Sequence, residues 1–263
     1  MALLILTRPD PDNAPWLTAL AAQGQAALDW PLIEIRPAAE VGALQSAWAT
    51  VPSCRAVMWV SRAAVQHFFA QRPGGMVWPE AIRAWCTGPG TRQALLSQGL
   101  SVDQIDLPAA EGAWDTEHLW PVVRAQVAPG ARVLLVRGTD AGVTAPSGGA
   151  DSGVGRDWLA QQIVQAGGSL AWAVAYQRAC PVWDEARLQA AATAAADGSV
   201  WVFSSAQAVR HLERLMPGQD WSRARAVATH SRIAEQVRTL GFARVVVAPP
   251  SAMGVLASLE CLS

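Results

Sequence analysis

The chain predicts an α/β fold with parallel sheets flanked by helices, and three observations carry that prediction. A short β-prone run ends in a hydroxyl residue or Arg and is followed by an amphipathic helix, and this pattern occurs six times. The runs are continuously apolar rather than alternating, as strands buried on both faces are, and such strands are joined by helical crossovers. A larger order also recurs. Ser61 and Thr87 are 26 positions apart, as are Ser204 and His230. Two related halves follow from that repetition, although the same alternation would also suit one doubly wound sheet.

In chain order, the first unit is ALLILTRP (2–9), with a helix stopping at Gly24 and a long strand, ALDWPLIEIRP, behind it. The second and third are AVMWVSRAAV (56–65) and IRAWCTGPGT (82–91), the third with a helix ending at Gly99 and a short strand, VDQIDLP. The fourth is RVLLVRG (132–138), with a helix ending at Gly167 and a long strand, LAWAVAYQR. SVWVFSSAQA (199–208) and RAVATHSRIA (225–234) complete the set, with Gly241 and the short strand ARVVVAP last. Glycine just past a helix accepts the left-handed turn that ends it. The two long strands end at Pro37 and Pro181, and proline closes a strand, so these segments are the expected connections between halves. Residues 139–155, TDAGVTAPSGGADSGVG, carry no apolar period and read as a flexible surface loop.

Composition narrows the function. Of 263 residues, 51% are hydrophobic and 16% charged, which describes a globular chain. A net charge of −1 offers no general attraction to nucleic acid or an anionic membrane. All 20 basic residues are Arg, so lysine Schiff-base chemistry and a phosphate-loop lysine are excluded. Cys54, Cys86, Cys180 and Cys261 lie far apart, and His67, His118, His211 and His230 have no H-x-x-x-H spacing, so no metal site is expected. The apolar start MALLIL is too short for a signal peptide or a membrane span, and a reduced cytoplasmic setting is expected.

In open α/β sheets, ligands bind beyond the carboxyl ends of the strands. Those positions hold Thr7, Arg8, Ser61, Thr87, Thr91, Arg137, Ser204, Ser205, His230, Ser231 and Arg232. Taken singly, each Ser or Thr reads as a helix cap. Taken together, several helix N-termini facing one space would suit a ligand rich in carboxylates. Thr87-Gly-Pro-Gly-Thr91 lacks the third glycine of a dinucleotide loop, and no G-x-S-x-G elbow accompanies Ser205 and His230. Tyr176 is the sole tyrosine in a chain with 13 tryptophans. It reads as packing, or as a phenol able to give up a proton.

Eight segments, in this order, resemble the uroporphyrinogen-III synthase family. They are LTRP (6–9), VSRAAV (60–65), TGPGTRQAL (87–95), VLLVRG (133–138), GRDWLAQQI (155–163), AYQR (175–178), FSSAQAV (203–209) and HSRIAEQVRTLGF (230–242). The resemblance implies two similar α/β domains joined by a two-stranded β connection, with the active site in the cleft between them. One domain would comprise 1–27 plus 182–263 and the other 38–170, with 28–37 and 171–181 as the connecting strands. It implies a monomer without metal or organic cofactor that cyclises the linear tetrapyrrole hydroxymethylbilane, with loss of water and inversion of the last ring. Tyr176 matches the family tyrosine that assists departure of the hydroxyl, and Ser61, Thr91 and Ser204 match its substrate-contacting hydroxyl positions. Arg232 and Ile233 stand where the family often has paired threonines, and the 139–155 segment exceeds the family's shorter turn. Those two departures motivate an alternative, a non-catalytic two-domain module of the same shape that binds a polycarboxylate.

Overall fold

The structure, a computed structural model, describes residues 2–10, 12–109, 113–142 and 154–262, with 154–157 as backbone. The chain divides into two compact units, Met1–Ile35 with Ala179–Ser263, and Arg36–Arg178.

The first unit opens with β1 (Leu4–Leu6), α1 (Ala14–Ala21) and β2 (Ala27–Asp29). The chain then runs through β3 (Glu34–Pro37), α2 (Val41–Thr50), β4 (Ala56–Trp59), α3 (Arg62–Phe69), β5 (Arg83–Cys86) and α4 (Pro89–Ser97). It continues with β6 (Ile105–Asp106), α5 (Thr116–Val123), β7 (Arg132–Asp140), α6 (Val154–Gln165) and β8 (Ser169–Ala179). The first unit is completed by α7 (Glu185–Ala194), β9 (Val200–Phe203), α8 (Ala206–Leu215), β10 (Arg225–Ala228), α9 (Ser231–Thr239), β11 (Arg244–Val247) and α10 (Ala252–Ser258).

The strand order is β11-β10-β9-β1-β2 in one sheet and β3-β8-β7-β4-β5-β6 in the other. Every pair in the first sheet is parallel, as are all those from β8 to β6 in the second. Leaving β3 aside, β2-β1-β9-β10-β11 and β8-β7-β4-β5-β6 are the same winding. In each, the chain moves outward in opposite directions from two central neighbours, β1 and β9 or β7 and β4. That reversal splays the loops apart and opens a crevice at the strand ends.

Side chains explain why these runs form central strands. Ile5, Trp201, Phe203, Ala226 and Ala228 pack with Leu212, Ile233 and Val237 of α8 and α9 on one face. The intervening Leu4, Leu6, Val200, Val202 and Val227 pack with Leu20 and Val255 of α1 and α10 on the other. Alternate residues thus point to opposite but equally apolar layers, which is why the sequence shows no period of two. In the second unit, Met58, Trp85, Val133 and Leu135 meet Leu119, Val123, Leu159 and Ile163 of α5 and α6. An aromatic cluster also forms there, with Trp48 stacked on Phe68 at 4.5 Å and Trp59 5.3 Å from Trp78. The Trp48 indole N–H donates to the Phe68 carbonyl at 2.8 Å, satisfying its one buried polar atom.

The glycines expected to end helices do so in the left-handed region, with φ of 71° at Gly24, 93° at Gly99, 83° at Gly167 and 106° at Gly241. Three expectations need correction. ALDWPLIEIRP is not one strand. It is β2 in one sheet and β3 in the other, interrupted across Trp30–Ile33, where Pro31 has no N–H for a ladder. In VDQIDLP only Ile105–Asp106 is strand. Val102–Gln104 is a 3-10 turn, closed by Ser101 and Gln104 bonding back to each other. The 139–155 segment is not all loop: Thr139 and Asp140 extend β7, pairing with Gln177 and Arg178, and α6 begins at Val154. Residues 143–153 lie outside the described residues.

Candidate active site

The second unit brings two of its predicted residues, Ser61 and Tyr176, together at the end of β4, beside the β4–β7 switch point. Strand β4 delivers Ser61 to the start of α3, where its Oγ accepts the Ala64 N–H at 3.1 Å and caps the helix. The same Oγ lies 3.2 Å from the Tyr176 hydroxyl on β8. Tyr176 is only 5% exposed, so the sole phenol of the chain is held, not loose. Its ring also stacks on His67, with centroids 5.9 Å apart and planes 28° from parallel. One helix therefore supplies both neighbours: Ser61 at its cap and His67 in its last turn. Burial pushes the His67 pKa below its ordinary value, which favours the neutral ring beside the phenol.

Gly138 on β7 completes this arrangement. A β-bulge shifts the β7–β8 register, so that Arg137 pairs with Val174 but Gly138 pairs with Tyr176. A Cβ on Gly138 would fall 2.3 Å from the Tyr176 Cζ, inside the ring's van der Waals surface. Arg137 is 5% exposed, with its guanidinium carbon 4.8 Å from the Trp172 ring centre. Thr87 sits, half-buried, in the bend after β5, and Thr91 is buried in the first turn of α4. That helix starts at Gly88 without a side-chain cap, and the Arg62 guanidinium reaches to within 3.2 Å of the Cβ position of Gly90.

The first unit carries its own predicted residues at the ends of its strands. Arg8 follows β1, with its guanidinium carbon 4.8 Å from the Trp16 ring and Nη1 3.5 Å from the Ser204 Oγ. Thr7 is placed differently: it is 1% exposed and donates its hydroxyl proton to the Val202 carbonyl at 2.7 Å, fastening β1 to β9. Ser205 caps α8 by accepting the Gln207 N–H at 3.1 Å. His230 caps α9 through Nδ1, which accepts the Arg232 N–H at 3.1 Å. The bond assigns the neutral ring's proton to Nε2, leaving a donor for another group. Ser231 and Arg232 are exposed, while Ile233 turns into the core. The departure at 232–233 thus pairs one solvent-facing cation with one packing residue.

Sequence reading passed over three residues here. Gly138 shows only as a glycine inside an apolar strand, and His67 as a histidine six residues past Ser61. Asn13 is fully buried; its Nδ2 donates to the Leu6 and Arg8 carbonyls at 3.2 and 3.0 Å and to Asp29 Oδ1 at 2.6 Å, bracing the loop that carries Arg8. A concavity among Asp10, Ile33, Glu34, Trp183 and Arg187 contains none of the candidate catalytic or substrate-binding residues. Among the described residues, no group of three or more His, Cys, Asp or Glu could hold a metal ion, and no helix is long and apolar enough to cross a membrane.

Two doubly wound sheets, each with polar residues and helix starts at its switch point, define an α/β protein. The family model described as uroporphyrinogen-III synthase HemD matches residues 14–257, and the chain belongs to this family. It is 27% identical over 250 residues to the uroporphyrinogen-III synthase of Salmonella typhimurium, covering 93% of this chain and 94% of that protein. The crystal structure of the synthetase from Helicobacter pylori superposes with a TM-score of 0.59 at 14% identity, with both chains covered completely. A mutant synthase from Thermus thermophilus gives 0.54 at 14% identity, covering 100% of this chain and 99% of that one. At such identities the two structures speak for the fold alone.

Proposed function

We propose that this protein is a working uroporphyrinogen-III synthase, a hydro-lyase that converts hydroxymethylbilane to uroporphyrinogen III and water with Tyr176 as its proton donor. The observation that carries the reading is the phenol of Tyr176, buried at a switch point with Ser61 at 3.2 Å, in a chain of this family. The Ser61 Oγ accepts the Ala64 N–H, so its own proton is available to the phenol oxygen. A phenol that receives a hydrogen bond gives up its proton more readily, because the bond strengthens as charge develops.

The step then balances. The phenol proton moves to the hydroxyl on the terminal carbon of the first ring, and the C–O bond breaks with its electron pair on the departing water. The pyrrole nitrogen lone pair stabilises the carbon as an azafulvenium ion, and the phenolate balances its charge. The substituted carbon of the last ring attacks and forms a spiro intermediate, which opens, turns the ring over and closes. The proton lost from that ring as it regains aromaticity replaces the one Tyr176 gave. Because water loss from such a carbinol is easy, the protein's main contribution is holding the chain so that the spiro route prevails over direct closure.

The carboxylates of the substrate call for donors. Arg137, Thr87 and Thr91 in the second unit, and Arg8, Ser204, Ser205, His230, Ser231 and Arg232 in the first, are the proposed contacts. Thr7 takes a supporting part through its bond to Val202. The reading needs no cofactor and takes the protein as a cytoplasmic monomer that binds neither nucleic acid nor membrane. Purified protein supplied with hydroxymethylbilane should give the type III isomer after oxidation. Only the type I isomer, as in the enzyme-free control, would return the protein to a non-catalytic binding module.

A further inference from the structure

We infer that Gly138, together with the bulge beside it, is a positioning residue for the reaction: the bare Cα lets the Tyr176 ring lie across β7 and bring its hydroxyl to Ser61. This rests on the proposed role of Tyr176. Glycine inside a strand weakens it, so its presence in a central one points to a close approach that a side chain would block. Here the blocked atoms are known. A Cβ would stand 2.3, 2.4 and 2.8 Å from the ring's Cζ, Cε2 and Cε1, the end of the ring that carries the hydroxyl. Paired residues on neighbouring strands point to the same face, so the empty place on Gly138 is the one the ring takes.

The bulge selects the glycine. Arg137 pairs with Val174, and unbroken register would set Tyr176 opposite Thr139, where a side chain stands. The register shift moves Tyr176 back by one partner, onto Gly138, and leaves Ala175 as the extra residue. Bulges re-aim side chains in this way, and a ring laid over a cross-strand glycine recovers contacts the glycine lacks. The two features act together: the bulge supplies the address and the glycine supplies the space.

Because Tyr176 is the only tyrosine, ring-labelled [13Cζ]tyrosine gives a single resonance that reports this phenol. Ser61→Ala should shift that resonance in the otherwise wild-type protein. In Gly138→Ala the resonance should already be displaced, and adding Ser61→Ala should move it no further. Type III turnover by G138A should fall on the order of 10²-fold, the scale of one lost proton donor, with KM for hydroxymethylbilane near wild type. Adding G138A to Tyr176→Phe should cost little more. A G138A resonance that stays in place and still responds to Ser61→Ala overturns the inference. So does a further large loss when G138A is added to Y176F. If G138A does not fold, Gly138→Ala/Tyr176→Ala decides the matter: recovery of a cooperative unfolding transition supports the steric role, and no recovery overturns it. Full activity in Y176F alone overturns the reading of Tyr176 beneath it, while the resonance still reports the ring's position.

Discussion

Tyr176→Phe removes one oxygen and leaves the ring on Gly138 and against His67. The structural cost is one hydrogen bond, 3.2 Å long, to a Ser61 that keeps its bond from Ala64. Such a bond is worth about 0.5–1.5 kcal/mol, and at about 2–4 °C per kcal/mol for a domain of this size, Tm should drop by only a few degrees. The catalytic cost is larger. Loss of a general acid lowers rates by roughly 10²–10⁴-fold, which is about 2.7–5.4 kcal/mol of barrier at 1.36 kcal/mol per tenfold. Stability and activity should therefore separate in the same sample. The assay is initial type III formation from hydroxymethylbilane beside a thermal melt, with the type I isomer as the measure of uncatalysed closure. A wild-type rate in Y176F would refute the argument that this phenol delivers the proton. Equal losses of folding and of rate would show that the hydroxyl serves the fold instead.

Ser61→Ala should cost about 0.5–2 kcal/mol through the lost cap of α3 and should also lower turnover. Ser61→Asp should keep the cap but place an anion beside the phenol, giving near-native denaturant stability with low activity. Burial lowers the His67 pKa, so the folded state binds that proton less readily than the unfolded chain does. The contribution is complete above the ordinary histidine value of about 6.5 and is lost as pH falls through the lower folded value. His67→Phe should flatten that part of the stability–pH curve, as read by denaturant midpoints at successive pH values. Trp48→Ala removes a fully buried indole stacked on Phe68 and bonded to its carbonyl, and should cost about 3–5 kcal/mol in chemical unfolding.

The strands were legible because burial on both faces demands uninterrupted apolar residues, and runs such as 133–136 and 200–203 meet that demand. Helix ends were legible at Gly24, Gly99, Gly167 and Gly241, where the left-handed turn restricts the residue that can stand there. The split of 27–37 between two sheets was harder to see, since Ala-Leu-Asp and Glu-Ile-Arg are each good strand sequence and only the pairing partners separate them. At the site, the strand-end residues were found by their position before helices. Whether a given hydroxyl faces outward or is tied to the backbone depends on neighbours distant in sequence. Thr7 and Ser61 look alike in the chain, yet one bonds to Val202 within the core and the other stands beside a phenol.

The sequence by itself determined the α/β class, the six repeated units, the absence of lysine chemistry and the singularity of Tyr176, because these depend on composition and local periodicity. The tertiary structure alone decided the strand order that creates two switch points. It alone decided the bulge that shifts Tyr176 from Thr139 to Gly138. Register is a property of two strands, not one, and a step of one residue moves a side chain to a new partner. No local pattern on either strand records that step.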